Sequence, residues 1–392
     1  MAQRSDRIRG LTAGGGDGWE VYHQGRKMVA EGIEITDLTI GEPDIRTHPK
    51  ILAAMDASAR GGHTGYAALA GTSDLRDTIA ARVRERTGVP TTRDNVLVTP
   101  GGQAALFDAF MGAIDPGAEV LFPDPFYATY PGTIRAAGGR PVPIQTKPEQ
   151  GFHPQDRDLR AAVTDRTGAL LINSPNNPTG AVYGPDTMDM VAQVARDADL
   201  WLISDEVYDT QLWSGGHLSA RALPDMADRV LTVGSLSKSH AMTGSRIGWL
   251  IGPPDMIADL TTLVIHTTFG VPGFVQDAAL HALMLGPDFE SQIAAPFRRR
   301  RDACLTHLAR QQVVEAHPSG GAMYLMLDIR ATGLSGTEFA LSLLERHGVA
   351  VMPGESFGRA AAGHVRVALT QSDEALLGAL DILLSHAEER VP

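Results

Sequence analysis

A lysine amine is costly to place just beyond a buried strand unless something uses it. Lys238 stands in that position, after the apolar run Val230-Leu231-Thr232-Val233, with Ser235 and Ser237 beside it and Arg246 further along "SLSKSHAMTGSR". Three other polar clusters also follow apolar runs. "TPGGQ" (Thr99 to Gln103) follows Val96-Leu97-Val98, "NSPNNPTG" (Asn173 to Gly180) follows Ala169-Leu170-Leu171-Ile172, and "DEVY" (Asp205 to Tyr208) follows Trp201-Leu202-Ile203-Ser204. The chemistry available is specific. An amine can form a Schiff base with a carbonyl, and a carboxylate can keep a heterocyclic nitrogen protonated. A phenol and an amide can hydrogen-bond a ring oxygen. Serines, an arginine and a glycine-opened helix N-terminus can hold a phosphate.

These groups work together only if the fold brings them together. Apolar strand-like runs, including Glu119-Val120-Leu121-Phe122, alternate with helix-like segments such as Gly102 to Ile114 and Met188 to Ala198. That alternation predicts an α/β fold with a mostly parallel sheet covered by helices on both faces. Ligands of such sheets sit beyond the carboxyl ends of the strands, where all four clusters lie. Each cluster alone has a plainer reading. Gly101-Gly102 can be a tight turn, Asn-Pro-Thr-Gly a turn, Asp205, Ser235 and Ser237 helix caps, and Arg246 an ion-pair partner. Taken together they suit pyridoxal 5′-phosphate.

The last hundred residues read differently. Strands over Met323–Leu327 and Val365–Leu369 and helices over Glu338–Arg346 and Glu374–Glu389 predict a smaller α+β domain. The expected division is a large cofactor-binding domain over 47–285 and a small domain built from 1–46 and 286–392.

The 392 residues are 43% hydrophobic and 20% charged, with a net charge of −12. This acidic balance argues against nucleic acid or an anionic membrane as partner. The run Arg298 to Arg301 reads as a solvated helix face pairing with acids. The single cysteine, Cys304, excludes an internal disulfide, and no Cys/His metal-ligand spacing is present, so no metal is expected. "MAQRSDRIRG" has no apolar leader and no long apolar run occurs, so a cytoplasmic protein is expected. Ala13 to Gly18, "AGGGDG", reads as a loop and not a nucleotide fingerprint.

The chain resembles fold-type I pyridoxal-phosphate enzymes of the class I/II aminotransferase family, in the prokaryotic aspartate-aminotransferase-like branch. The ordered motifs that carry this are "IGEPD", "GYAALAGTSDLR", "TPGGQAAL", "FPDPFYATYP", "NSPNNPTG", "SDEVY", "SLSKSHAMTGSRIGW", "PSGGAMYLMLDI" and "GHVRVAL". The resemblance implies a role for each matched residue. Lys238 is the Schiff-base lysine and, when freed by substrate, the base for the α-proton. Asp205 partners the pyridine nitrogen, and Tyr208 and Asn177 meet the ring's phenolic oxygen. Tyr127 stacks on the ring. Gly102, Gln103, Ser235, Ser237 and Arg246 hold the phosphate. Tyr66 reaches the phosphate of a neighbouring subunit, implying a homodimer with shared sites. Arg366 clamps the substrate α-carboxylate, which Gly41 and Asn177 also approach. The implied reaction moves an amino group from an L-amino acid to a 2-oxo acid.

The amino donor is less determined. Aspartate-using members of this branch place a lysine where Gln103 stands here, and several stretches also resemble arginine–pyruvate transaminases of the same branch. Aspartate and a broad or cationic donor range are both open. Asp44 and Glu355 are the acids that could face a cationic side chain, although capping or surface roles suit them. His240 and His266 lie near the site in sequence. His240 is read as packed, and His266 to Gly270 as lining the pocket or the subunit boundary. A pyridoxal-phosphate C–S β-lyase is the alternative within the same chemistry, distinguished by turnover without a keto acid. A non-catalytic cofactor-sensing module is disfavoured, because the matched region leaves no space for a DNA-binding domain.

Overall fold

The computed structural model describes residues 3–13 and 18–391, so most of the 13–18 loop lies outside the described residues. Seven strands form the large sheet: β1 (Val96–Thr99), β2 (Glu119–Asp124), β3 (Arg140–Gln145), β4 (Thr167–Asn173), β5 (Trp201–Asp205), β6 (Val230–Ser235) and β7 (Gly248–Ile251). Their order is β1-β7-β6-β5-β4-β2-β3. The run from β6 to β3 is parallel, while β7 pairs antiparallel with both β6 and β1. Two of the seven strands depart from the alternation of apolar runs and helices. β3 carries Pro141 and Pro143, which lack the N–H for a central ladder, and it lies at the sheet edge where proline is tolerated. β7 is apolar, but only the short helix Leu236–Ser239 and a turn separate it from β6.

Helices cover both faces because the strands are buried on both. On one side, helix Gly102–Ala113 packs Ala105, Leu106, Ala109 and Phe110 against β6 and β7. On the other, Ile51, Leu75 and Ile79 meet Val96, Val98 and Ile251, and Met188, Val191 and Ala195 meet Leu170 and Leu202.

A four-stranded antiparallel sheet orders Met352–Pro353, His364–Ala368, Tyr324–Asp328 and Glu315–Ala316. Thr36–Asp37 pairs in parallel with Val349–Ala350, tying the N-terminal segment to the C-terminal region. Val21 and Leu38 share a core there with Phe297, Phe339, Leu343 and Leu383. Helix Gly336–His347 starts at a capping box in which Ser335 and Glu338 satisfy each other's backbone N–H groups. Helix Gly286–Leu308 joins the two cores, with Phe289 and Ile293 in the large-sheet core and Phe297, Cys304 and Leu308 in the other. Burial pushes the Cys304 thiol up to about 12.

The arginine run on this helix departs from expectation. Arg298 and Arg299 are exposed, and Arg299 pairs with Asp373 as read. Arg300 is buried instead. It grips Asp44 with two bonds of 2.8 and 2.7 Å and reaches Asp373 at 3.0 Å. Among the described residues no helix is long and apolar enough to cross a membrane.

Candidate active site

The four clusters open onto one cavity of about 350 Å³, beyond the carboxyl ends of β4, β5 and β6. Gly41, Gly102, Gln103, Tyr127, Asn177, Asp205, Tyr208, Ser235, Ser237, Lys238, Arg246 and Arg366 all line it. Tyr66 does not. It is 90% exposed and meets Phe269 edge-on at 4.9 Å.

One end of the cavity is built for a polyanion. Gly101 caps helix Gly102–Ala113 at φ +82°, and a Cβ there would collide with the Arg246 guanidinium. Only glycine brings the backbone and that cation together at this place. Arg246 is itself held in the left-handed region, donating to the carbonyl of Thr243 at 2.8 Å. Ser235 Oγ accepts from the Ser237 N–H at 3.1 Å and donates to Ser237 Oγ at 3.0 Å. Two hydroxyls, a guanidinium and a helix N-terminus are a phosphate-binding set.

Asp205 ends β5 at the cavity floor. Burial pushes its carboxyl up to about 6, while the Tyr130 phenol at 2.6 Å and the Val207 N–H at 3.3 Å favour the ionised form. Both donors are neutral, so this buried carboxylate suits a protonated ring nitrogen. Asn173 fixes the neighbourhood, donating to the Asp205 carbonyl at 2.9 Å and accepting from the Asn177 N–H at 2.8 Å.

Lys238 sits in the short helix Leu236–Ser239, its amine donating to the Gly41 carbonyl. Burial lowers its pKa, and the Arg366 and Arg246 charges add to that effect, against Tyr324 and Glu42. Arg366 lies on strand His364–Ala368, between the rings of Tyr324 and Phe357 at 4.3 and 4.5 Å from their centres. One terminal nitrogen donates to Asn177 Oδ1 at 2.7 Å and the other to the Thr39 carbonyl, whereas the buried Nε has no hydrogen-bond partner among the described residues. An oriented arginine with an unmatched donor suits a substrate carboxylate.

Several lining groups were not anticipated. Tyr130 holds Asp205, and Tyr324 places its hydroxyl 2.9 Å from that of Tyr208. Trp19 and Glu42 also reach the wall. Glu42 lies within "IGEPD", next to the glycine to which the resemblance gives a role. The two acids considered for a cationic side chain are engaged elsewhere. Asp44 binds Arg300, and Glu355 accepts the backbone N–H groups of Gly336 and Gly363. Gln103 lines the cavity, but its amide is held by Thr133 at 2.7 Å and Thr129 at 3.0 Å. His240 is fully buried, stacked on Phe289 and bonded to Ser239. Residues 266–269 are exposed and do not line the cavity.

Pyridoxal phosphate fits these residues, which offer a desolvated amine, a buried carboxylate without a cation, a phosphate cradle and a free guanidinium donor. Comparison with known proteins agrees. The profile of the family described as "Aminotransferase class I and II" matches residues 33–383. The arginine–pyruvate transaminase of Pseudomonas aeruginosa is 41% identical over 373 residues, covering 95% of both chains. The aspartate/prephenate aminotransferase of Thermus thermophilus is 38% identical over 355 residues, 90% of each. A structure of Thermus thermophilus aspartate aminotransferase with maleate superposes at TM-score 0.91, with 35% identity, over 98% of this chain and 100% of that one.

Proposed function

The chain belongs to the class I and II aminotransferases, and from that premise we propose how its own residues divide the work of a pyridoxal-phosphate transaminase. The observation that carries the assignment is the convergence of Lys238, Asp205 and Arg366 on one cavity. The bound cofactor supplies the carbonyl that exchanges amines and the conjugated ring that stores electrons from the substrate Cα. Gly102 and Gln103, through their backbone N–H groups at the helix start, and Ser235, Ser237 and Arg246 anchor its phosphate end, with Tyr66 of a second subunit completing the site in a homodimer. Asp205, oriented by Tyr130, holds the ring nitrogen's proton. Tyr127 packs on the ring, and Tyr208 and Asn177 face its oxygen. Arg366 and the Gly41 backbone orient the substrate α-carboxylate. Nζ of Lys238 takes the substrate Cα proton, a role that its lowered pKa suits. The large domain of 47–285 holds the cofactor, and the small domain of 1–46 and 286–392 contributes Gly41 and Arg366. The proposed location is the cytoplasm, in keeping with a lone buried thiol.

For the amino donor we favour a cationic or broad range over strict aspartate. The amide of Gln103 is already bonded to two threonines, and the Glu42 carboxylate is at the cavity wall. The name of the Pseudomonas relative points the same way. The test is an absorbance titration of the holoenzyme with single amino acids and no keto acid, followed by added pyruvate or 2-oxoglutarate. Conversion of the cofactor by arginine or alanine but not aspartate, reversed by the keto acid, is expected. Release of a thiol, ammonia and pyruvate from a cysteine conjugate without any keto acid would instead establish the β-lyase, a reading that the transaminase relatives do not favour.

A further inference from the structure

His317, Asp328 and His364 are far apart in sequence, so no ligand spacing marks them, yet they meet on the small antiparallel sheet. Asp328 and His364 are register partners on adjacent strands. His317 follows Ala316 on the strand at the other side of Asp328. Nε2 of His317 and Nε2 of His364 face each other at 2.9 Å, and Asp328 Oδ2 is 3.9 Å from the latter. The Nδ1 of His364 lies 3.0 Å from the Ala362 carbonyl. A carbonyl only accepts, so Nδ1 carries the proton and Nε2 presents its lone pair. The Phe152 ring packs on both imidazoles, with centres 4.9 and 5.9 Å away, and forms an apolar wall.

We infer that this trio binds a divalent late transition-metal ion, with zinc as its representative. Two imidazoles and a carboxylate make a three-ligand set that leaves a fourth position open. Metal–nitrogen bonds of about 2.0–2.1 Å set the ligand nitrogens of a tetrahedral site slightly over ~3 Å apart. A small opening of the facing pair admits the ion. The ligands stand on or beside paired strands, which hold them more firmly than loops do. Arg330 is the competitor. Its guanidinium donates to both Asp328 oxygens, at 3.0 Å to Oδ1 and 2.6 Å to Oδ2, but its side chain is 53% exposed, so solvent can replace those bonds. It therefore tunes affinity, which gives the site a signed test. Without metal the imidazoles share one N–H···N bond, the purely structural outcome.

The experiment uses chelator-treated holoenzyme titrated with Zn²⁺ by calorimetry, and with Co²⁺ by its visible absorption. Wild type is compared with His317→Gln and Arg330→Gln. His317 is partly exposed, so its replacement spares the buried His364, and metal-free thermal unfolding checks that each variant is folded. About one ion per chain is expected, with affinity at least ~10-fold weaker in His317→Gln and tighter in Arg330→Gln. No saturable uptake by wild type, equal uptake by wild type and His317→Gln, or weaker binding in Arg330→Gln would each overturn the site.

Discussion

The Tyr130 phenol donates a 2.6 Å hydrogen bond to Oδ2 of Asp205, with both side chains buried. The phenol opposes the burial that pushes this carboxyl up to about 6. A hydrogen bond to a charged group contributes about 1.5–3 kcal/mol. Tyr130→Phe is therefore expected to raise the Asp205 pKa further and slow transamination about 10- to 100-fold near neutral pH. The acid limb of the pH–rate profile should move upward. An unchanged limb would remove Tyr130 from this role.

Gly41 has no room for a side chain, because a Cβ would lie 1.7 Å from the Tyr324 hydroxyl oxygen. Gly41→Ala must displace Tyr324, and with it the ring against which Arg366 packs. The expected result is a higher KM for the amino donor. Adding Tyr324→Phe, which deletes the clashing oxygen, should recover part of the loss. A double variant no better than Gly41→Ala would show that the clash is not the cause.

Gln103→Lys places a cation where the wild-type amide is tied to Thr129 and Thr133. The ratio of kcat/KM for aspartate over arginine is expected to rise about tenfold, equivalent to about 1.4 kcal/mol. Steady-state kinetics with both donors decides it, and an unchanged ratio would place the donor side chain elsewhere in the cavity.

Asp108 sits in helix Gly102–Ala113, and burial raises its carboxyl from 3.8 to about 7. A folded pKa above the unfolded one means that folding favours the proton. The associated stability is present below about pH 4 and is lost as pH rises toward 7. Above that the ionised carboxylate costs at most a few kcal/mol, at roughly 1.4 per pKa unit. Asp108→Asn should therefore raise the melting temperature more at pH 8 than at pH 5. Equal gains at both would show that the carboxyl is not the source.

What the sequence revealed follows the physics of each signal. Strands buried on both faces are continuous apolar runs, so β1, β2, β4, β5 and β6 are readable. The edge strand β3, with its two prolines, offers no such run, and the apolar run of β7 follows β6 with only the short helix Leu236–Ser239 and a turn between them, so it breaks the strand–helix alternation that marks the others. Polar residues at strand ends announced the cavity because burial without use is costly. Tyr130 and Tyr324 were silent, since an aromatic residue among apolar neighbours looks like core until its hydroxyl is located. Asp44 and Arg300 are 256 positions apart, and no local pattern pairs them.

The lone thiol of Cys304 has a practical consequence. It is 1% exposed and pushed up to about 12 by burial, so almost none is thiolate at neutral pH. The native chain is a silent background for thiol chemistry. A single cysteine introduced at the exposed Arg157 would accept a fluorophore or spin label alone, and test the proposed dimer by distance measurement without first removing a native residue.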